Sequence, residues 1–266
     1  MSEAHKPAGP VAFRGGGFNP RPKRWAPWLA FALIIAAWQG ASSAGLLPDL
    51  FMPSPAQIML ALYGLTASGA IVDHVSASVS RIAFGWAIGT AGGLAVGFAM
   101  GIWSLARSVG IPVVSALFPI PKIALLPLLI LWFGIGEPSK VATIALGVFF
   151  PTVISAYAAV DNVPRNLIRM AQSFNVPAVD IVRKIILPGA MPGILSGFRI
   201  SSSIALILVV AAEMIGAEFG IGAFILAAGN LMQTDQLVAG VVLLSLLGLT
   251  VSFLLGRLEA WLLKWR

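Results

Sequence analysis

Apolar residues run in blocks of about twenty along most of this chain, and polar residues gather in the intervals between them. The blocks fall at residues 25–44, 82–102, 109–134, 140–160, 195–215 and 237–255. A helix of roughly 20 residues rises about 30 Å, the thickness of a bilayer's hydrocarbon layer. The pattern therefore predicts an all-α membrane protein of about six transmembrane helices, with residues 25–266 as the membrane domain. Two apolar stretches are too short to cross. Residues 47–65, opened by Pro48, Pro53 and Pro55, are expected along the membrane face, and 224–232 is expected to be interfacial or re-entrant. The first block has a second reading as a cleaved signal peptide, because Ala41, Ser42, Ser43 and Ala44 are small enough for a cleavage site.

Within the blocks, two features break the apolar pattern. Gly85, Gly89, Gly93, Gly97 and Gly101 recur every four residues. That spacing advances about 40° per step around a helix, so the five glycines form one slowly winding groove that admits another backbone closely. Gly189, Gly193 and Gly197 repeat the spacing, which raises the question of whether the two seams meet. The block at 109–134 is interrupted by Pro112, Pro119, Pro121 and Pro127, with Lys122 among them. Proline removes a backbone donor, and irregular backbone at membrane depth is tolerated against protein or a watery cavity. A discontinuous helix lining a polar pathway is expected there. Lys122 either faces that pathway and attracts an anion, or snorkels to the interface or pairs with an acid.

The longest charged, amphipathic interval is the loop at 161–193. Its pattern predicts one short helix over 167–174 and another over 178–186. Asn175 turns the chain between them, and Pro177 suits a first helical turn. An exposed hairpin of this kind fits a cleft on a partner. The alternative is an amphipathic helix lying on anionic lipid.

Composition agrees with a bilayer as solvent: 58% of residues are hydrophobic, 10% are charged, and the mean hydropathy is +0.93. The formal net charge of +7 belongs to loops and tails rather than to a basic stripe with interleaved aromatics, which excludes nucleic acid as a partner. Residues 1–24, with Lys6, Arg14, Arg21, Lys23 and Arg24, read as a disordered basic tail. With six spans, 13 of the 17 lysines and arginines share one side with both tails and the 161–193 loop, against Arg81 and Lys140 on the other. The positive-inside bias puts that side in the cytoplasm. There is no Cys. No phosphate-binding glycine loop is present, and His5 and His74 fall on opposite sides, so neither a catalytic set nor a metal site is expected. Nor is there an internal repeat.

Ile185-Ile186-Leu187-Pro188 ends the loop ten residues after Asn175, which itself follows a small-residue helix at Ala171. This arrangement resembles the cytoplasmic loop of ABC importer permeases, Glu-Ala-Ala, three residues, Gly, nine residues, Ile-x-Leu-Pro. Arg169 and Met170 stand where that family usually has Glu and Ala, and Asn175 where it has Gly. Leu47-Pro48, Pro53-Ser54-Pro55, Gly197-Phe198-Arg199 and Ala212-Glu213-Met214 are also similar to family positions. The resemblance is greatest to the branch serving nitrate, sulfonate and taurine uptake.

It implies a multi-pass permease of the bacterial inner membrane, probing no chemistry of its own. A second permease copy in a homodimer, two cytoplasmic ATPases carrying ATP and Mg, and an external solute-binding protein would complete the machine. Arg169, Met170, Ala171, Asn175, Pro177, Ile185, Leu187, Pro188 and Gly189 become candidates for coupling to the ATPase. Lys122, Ser202, Ser203 and Glu213 become pathway candidates, although a helical serine commonly bonds back to its own backbone and Glu213 lies near enough to a span's end to reach outer water. The competing readings are a secondary transporter working without an ATPase, for which inverted repeats would be expected, and a membrane scaffold.

Overall fold

A computed structural model describes Lys23 and residues 25–265. The basic tail, with His5, Lys6, Arg14, Arg21 and Arg24, lies outside the described residues, as does Arg266. The chain divides after Ala56 into two compact units. The first holds α1 (Ala26–Ser43), which starts with a proline in its first turn. Its end is closed by Gly45 at φ 71°, with Gly45 N–H donating to Ser42 O and Leu46 N–H to Ala41 O. The small residues from Ala41 to Ala44 thus belong to a Schellman-type helix end. Gln39 ties the next turn down, its Oε1 accepting the Ala56 N–H at 3.2 Å.

α2 (Pro55–Ala67) begins at the division. The second unit continues with α3 (Ala70–Ile102), α4 (Ser104–Leu117), a 3-10 turn at Lys122–Leu125, α5 (Leu126–Phe133) and α6 (Glu137–Asp161). After these come α7 (Arg165–Ser173), α8 (Ala178–Ile181), a π turn at Val182–Ile186, α9 (Leu187–Glu213), α10 (Ile221–Asn230) and α11 (Thr234–Leu262). No strand occurs among the described residues. Four helices are long and apolar enough to cross a membrane, and the bent pair of α4 with the segment 122–133 makes a fifth. α1 has 18 residues, about 27 Å of helix, and is not among these candidates, so the described residues carry four or five candidate spans where the sequence pattern predicts about six.

Two boundaries differ from the sequence pattern, each for a physical reason. α3 starts at Ala70 instead of 82, because Arg81, which reads as the charged edge of a span, is neutralised inside the bundle. The stretch 178–213 is one continuous helix rather than a short helix followed by a span from 195. Pro188 cannot donate to the turn before it, and the chain accommodates it by widening to a π turn at Val182–Ile186 and continuing. The break expected within 109–134 lies at 118–121, around Pro119 and Pro121, where the two arms meet at 85°. Pro112 sits inside α4 without ending it.

α6 is the centre of the unit. Half of its most apolar window is buried, against 11% for α11. Both glycine seams face α6 and not each other. A Cβ on Gly93 would stand 2.7 Å from Thr152 Cβ, and one on Gly97 2.6 Å from Ala156 Cβ, so only glycine lets α3 come this close. On the other flank a Cβ on Gly193 of α9 would stand 2.7 Å from Ala159 Cβ. α6 is therefore gripped from both sides, and its two ends are positioned by the same packing.

Candidate functional site

One end of α6 leads into the hairpin formed by α7, α8 and the π turn. Asn175 has φ 54°, a left-handed conformation that Asn tolerates better than other side-chain-bearing residues. Asn175 N–H donates to Gln172 O at 2.9 Å and Val176 N–H to Ala171 O at 3.1 Å. These are the two bonds of a Schellman motif, so Asn175 fills the place of a glycine without loss of the turn. Ala171, Ile181 and Ile186 are buried with Val160, Val163, Ala190 and Ile194, and Val176 and Ile185 pack against them. The inner face of the hairpin is thus part of the same core as the ends of α6 and α9.

That packing sorts the coupling candidates. Ala171 is 6% exposed and Ile185 half-buried, so both pack on the hairpin's inner face. Pro188 is half-buried at the start of α9, and Gly189 packs toward Val163. Arg169, Met170, Asn175, Pro177 and Leu187 are exposed. Sequence reasoning missed the two most exposed apolar residues of the hairpin, Phe174 at 77% and Val179 at 76%, which join Met170 at 54%. A hydrophobic residue on each side of the Asn175 turn was the available signal.

α7 presents two different surfaces. Arg165, Ile168, Arg169 and Gln172, spaced i, i+3, i+4, i+7, line a cavity of about 360 Å³ between the hairpin and the ends of α3, α4 and α6. Leu167, Met170 and Phe174 lie off that stripe and are exposed. Arg107 and Asp161 pair at the cavity wall, and the Arg107 guanidinium stands 5.2 Å from the Tyr157 ring centroid.

At the break before the 3-10 turn, Lys122 Nζ donates to Leu117 O at 2.7 Å, Phe118 O at 3.2 Å and Ile120 O at 2.7 Å. It also stands 4.4 Å from the Phe150 ring centroid. All three donors satisfy carbonyls released by the interrupted helix, so Lys122 closes the end of α4 and pairs with no acid among the described residues. It borders a cavity of about 200 Å³ shared with Phe118, Phe150, Pro151, Ile204 and Leu208. Ser202 and Ser203 both bond back to Arg199 O, the former buried and the latter exposed.

Glu213 does not reach outer water. It is 1% exposed, at the far end of α9 from the hairpin. Ser78 Oγ donates to its Oε1 at 2.8 Å, Arg81 Nη1 donates to Oε1 at 2.7 Å, and Gly222 N–H donates to Oε2 at 2.8 Å. Arg81 reaches on to Glu137, donating from Nε at 2.6 Å and from Nη2 at 2.5 Å, and its Nη1 donates to Phe219 O at 2.7 Å. Ser78 Oγ accepts the Ile221 N–H at 2.9 Å, and His74 Nδ1 lies 3.0 Å from Gly220 O and 3.1 Å from Gly220 N. The first N–H groups of α10 are therefore capped by side chains of α3 and α9. A carboxylate there also faces the positive end of the helix dipole. Arg81 and Lys140, counted from sequence as charges in outer loops, lie buried within α3 and α6. No group of three or more His, Cys, Asp or Glu residues that could hold a metal ion lies among the described residues.

The described residues thus form a bundle of membrane-length helices with an exposed hairpin at one end. The family model for the binding-protein-dependent transport system inner membrane component matches residues 89–264, and the chain belongs to that family. It is 34% identical over 239 residues to the taurine transport system permease protein TauC of Escherichia coli (strain K12), covering 88% of this chain and 87% of that protein. It is 35% identical over 235 residues to the putative aliphatic sulfonates transport permease protein SsuC of Bacillus subtilis (strain 168), covering 88% and 85%. A chain from an inward-facing conformation of the MetNI methionine ABC transporter shares the fold, with a TM-score of 0.62 at 23% identity over 72% of this chain and 95% of that one. The protein is thus an ABC importer permease of the inner membrane. Membership of the family implies an ATPase and a solute-binding protein as partners.

Proposed function

We propose that two copies of this chain form the translocation pathway for an organosulfonate, such as taurine or an alkanesulfonate. An external binding protein delivers the solute, and two cytoplasmic ATPases supply the work, with ATP and Mg bound on them. The observation that carries this reading is the likeness, over nearly nine-tenths of the chain, to permeases named for taurine and aliphatic sulfonates. It favours a sulfonate over nitrate.

The hairpin supplies the mechanical part. Met170, Phe174 and Val179 form an apolar tip suited to a groove on the ATPase, which is helix-in-groove recognition. Since the opposite face of the hairpin shares a core with the ends of α6 and α9, displacement of the tip moves both helices together. Closure of the ATPase pair would then rock the bundle between inward and outward access. Lys122 gives the cavity at the broken span a positive wall, whereas Glu213 serves the structure of the outer end.

Uptake of labelled taurine, an alkanesulfonate and nitrate into proteoliposomes holding the chain, its ATPase and its binding protein tests the proposal. ATP-dependent uptake of a sulfonate, with nitrate failing to compete, is the expected result. Uptake by the chain without the ATPase, driven by an ion gradient, would establish the secondary-transporter reading instead. Within this assay Lys122→Met should lower uptake of the anion, and unchanged uptake across solute concentrations would remove Lys122 from the pathway.

A further inference from the structure

We infer that the cavity beneath α7 is a binding site for the headgroup phosphate of an anionic phospholipid. Its volume of about 360 Å³ is within the range of small-molecule sites, roughly 300–1,000 Å³. Three arginines, Arg107, Arg165 and Arg169, line it together with one acid, Asp161. Arg107 already pairs with Asp161 and Arg165 lies 3.7 Å from it, while Arg169 has no acidic partner among the described residues. The wall therefore carries two positive charges in excess, set in the planar forks that recognise phosphate oxygens in pairs.

The position of the cavity selects the source of the phosphate. It lies where α3 ends at Ile102 and α6 ends at Asp161, so it sits at the level where crossing helices leave the hydrocarbon. Ile102, Trp103, Val160 and Val163 make the other part of its lining, and Trp103 is 64% exposed, as suits an aromatic at a headgroup boundary. A free phosphate has no use for that apolar wall, whereas a glycerophospholipid meets both halves. Basic pockets between crossing helices are known devices for holding such headgroups. The site also leaves the tip of the hairpin clear, because Arg165, Ile168, Arg169 and Gln172 occupy a different face of α7 from Met170 and Phe174. A lipid held here would brace the hairpin against the bundle at the moment the tip is pulled.

Native mass spectrometry of the purified full chain in neutral detergent, with phosphatidylglycerol, phosphatidylcholine or inorganic phosphate added, tests the inference. One phosphatidylglycerol retained per chain is the expected result, with phosphatidylcholine far weaker. Arg165→Gln combined with Arg169→Gln removes two surface charges and leaves the Arg107–Asp161 pair intact. It should weaken retention roughly thirtyfold. Arg183→Gln, an exposed base elsewhere on the hairpin, should leave retention unchanged. Equal retention of the two lipids, undiminished retention in the double variant, or equal loss in Arg183→Gln would overturn the site. Displacement of the lipid by millimolar inorganic phosphate would overturn its assignment to lipid. The measurement uses no ATPase and no solute, so its failure is separable from failure of the transport reading.

Discussion

The two ends of α6 handle charge in opposite ways. At Glu137 the charges turn inward, where Arg81, Glu213, Ser78 and Gly222 saturate one another and fix the start of α10. At Asp161 the charges face a cavity, and beyond it the hairpin exposes apolar side chains while its backbone closes on itself through Asn175. Twenty-five residues of helix, roughly 37 Å, separate them. One end is a completed structure, and the other is a surface left open for something else. An importer permease driven from one side needs both: a lever that accepts force and a far end that keeps its helices together while force arrives.

The sharpest way to break this comparison is at Glu213. Glu213→Ala leaves the Ser78 hydroxyl and the Gly222 N–H buried without their carboxylate acceptor and takes one of two counter-charges from the buried Arg81, and removing one partner of a buried charged pair costs about 3–5 kcal/mol. A large drop in the thermal unfolding midpoint of the purified chain should follow. Glu213→Gln, which keeps shape and part of the hydrogen bonding, should lose about 1.5–3 kcal/mol. If Glu213→Ala melts like the wild type, the far end is not held by this network.

The open end should respond in the reverse manner. Phe174→Ala is expected to change the chain's own stability by less than about 0.5 kcal/mol, as an exposed side chain does. Its assembly with the ATPase should weaken by about 2 kcal/mol, the scale of an aromatic interface anchor. Co-purification of the complex and melting of the chain alone separate the two readouts. A variant that assembles normally would move the docking surface away from the tip.

The turn between these surfaces gives a smaller effect. Asn175→Val places a β-branched residue at φ 54° and should cost about 1–3 kcal/mol, while Asn175→Gly should leave stability and assembly near the wild-type level. A Val variant as stable as Asn would mean that the left-handed turn does not persist in the membrane.

The comparison also explains what could be read from the chain. The hairpin was legible because its signals are local: Asn175 two residues after Ser173, Pro177 two residues further on, and apolar positions at helical spacing. The glycine seam of α3 was legible for the same reason, although its partner was not, since nothing in a four-residue repeat says which helix fills the groove. The far end was hidden. Ser78 and Glu213 are 135 positions apart, and Arg81 and Glu137 are 56 apart, so no window of sequence contains a pair. Taken singly, Arg81 looks like a span's charged boundary and Glu213 like a group reaching for water. Part of what Lys122 does was hidden too, because its cation satisfies backbone carbonyls freed by the break around Pro119 and Pro121, a role that is invisible until the break is built.

The finest test of the contrast lies inside the buried network, between its two carboxylates. Glu137 and Glu213 bind the same guanidinium with similar distances, yet the Glu137 side chain is 59% exposed and that of Glu213 is fully enclosed. Geometry alone would rank Glu137 first, since it takes two bonds from the guanidinium, at Nε and Nη2, against one from Nη1 to Glu213. Solvent reverses that order, because water screens the attraction to an exposed carboxylate and can take its place at the guanidinium, and neither happens at an enclosed one. Glu137→Gln should therefore cost less than about 1 kcal/mol and show a modest, salt-sensitive fall in melting midpoint. Glu213→Gln should cost more and be indifferent to salt, since screening does not reach it. Equal losses in the two variants would mean that Glu137 is covered in the membrane-embedded assembly, and that the network closes this end of the bundle on both of its sides.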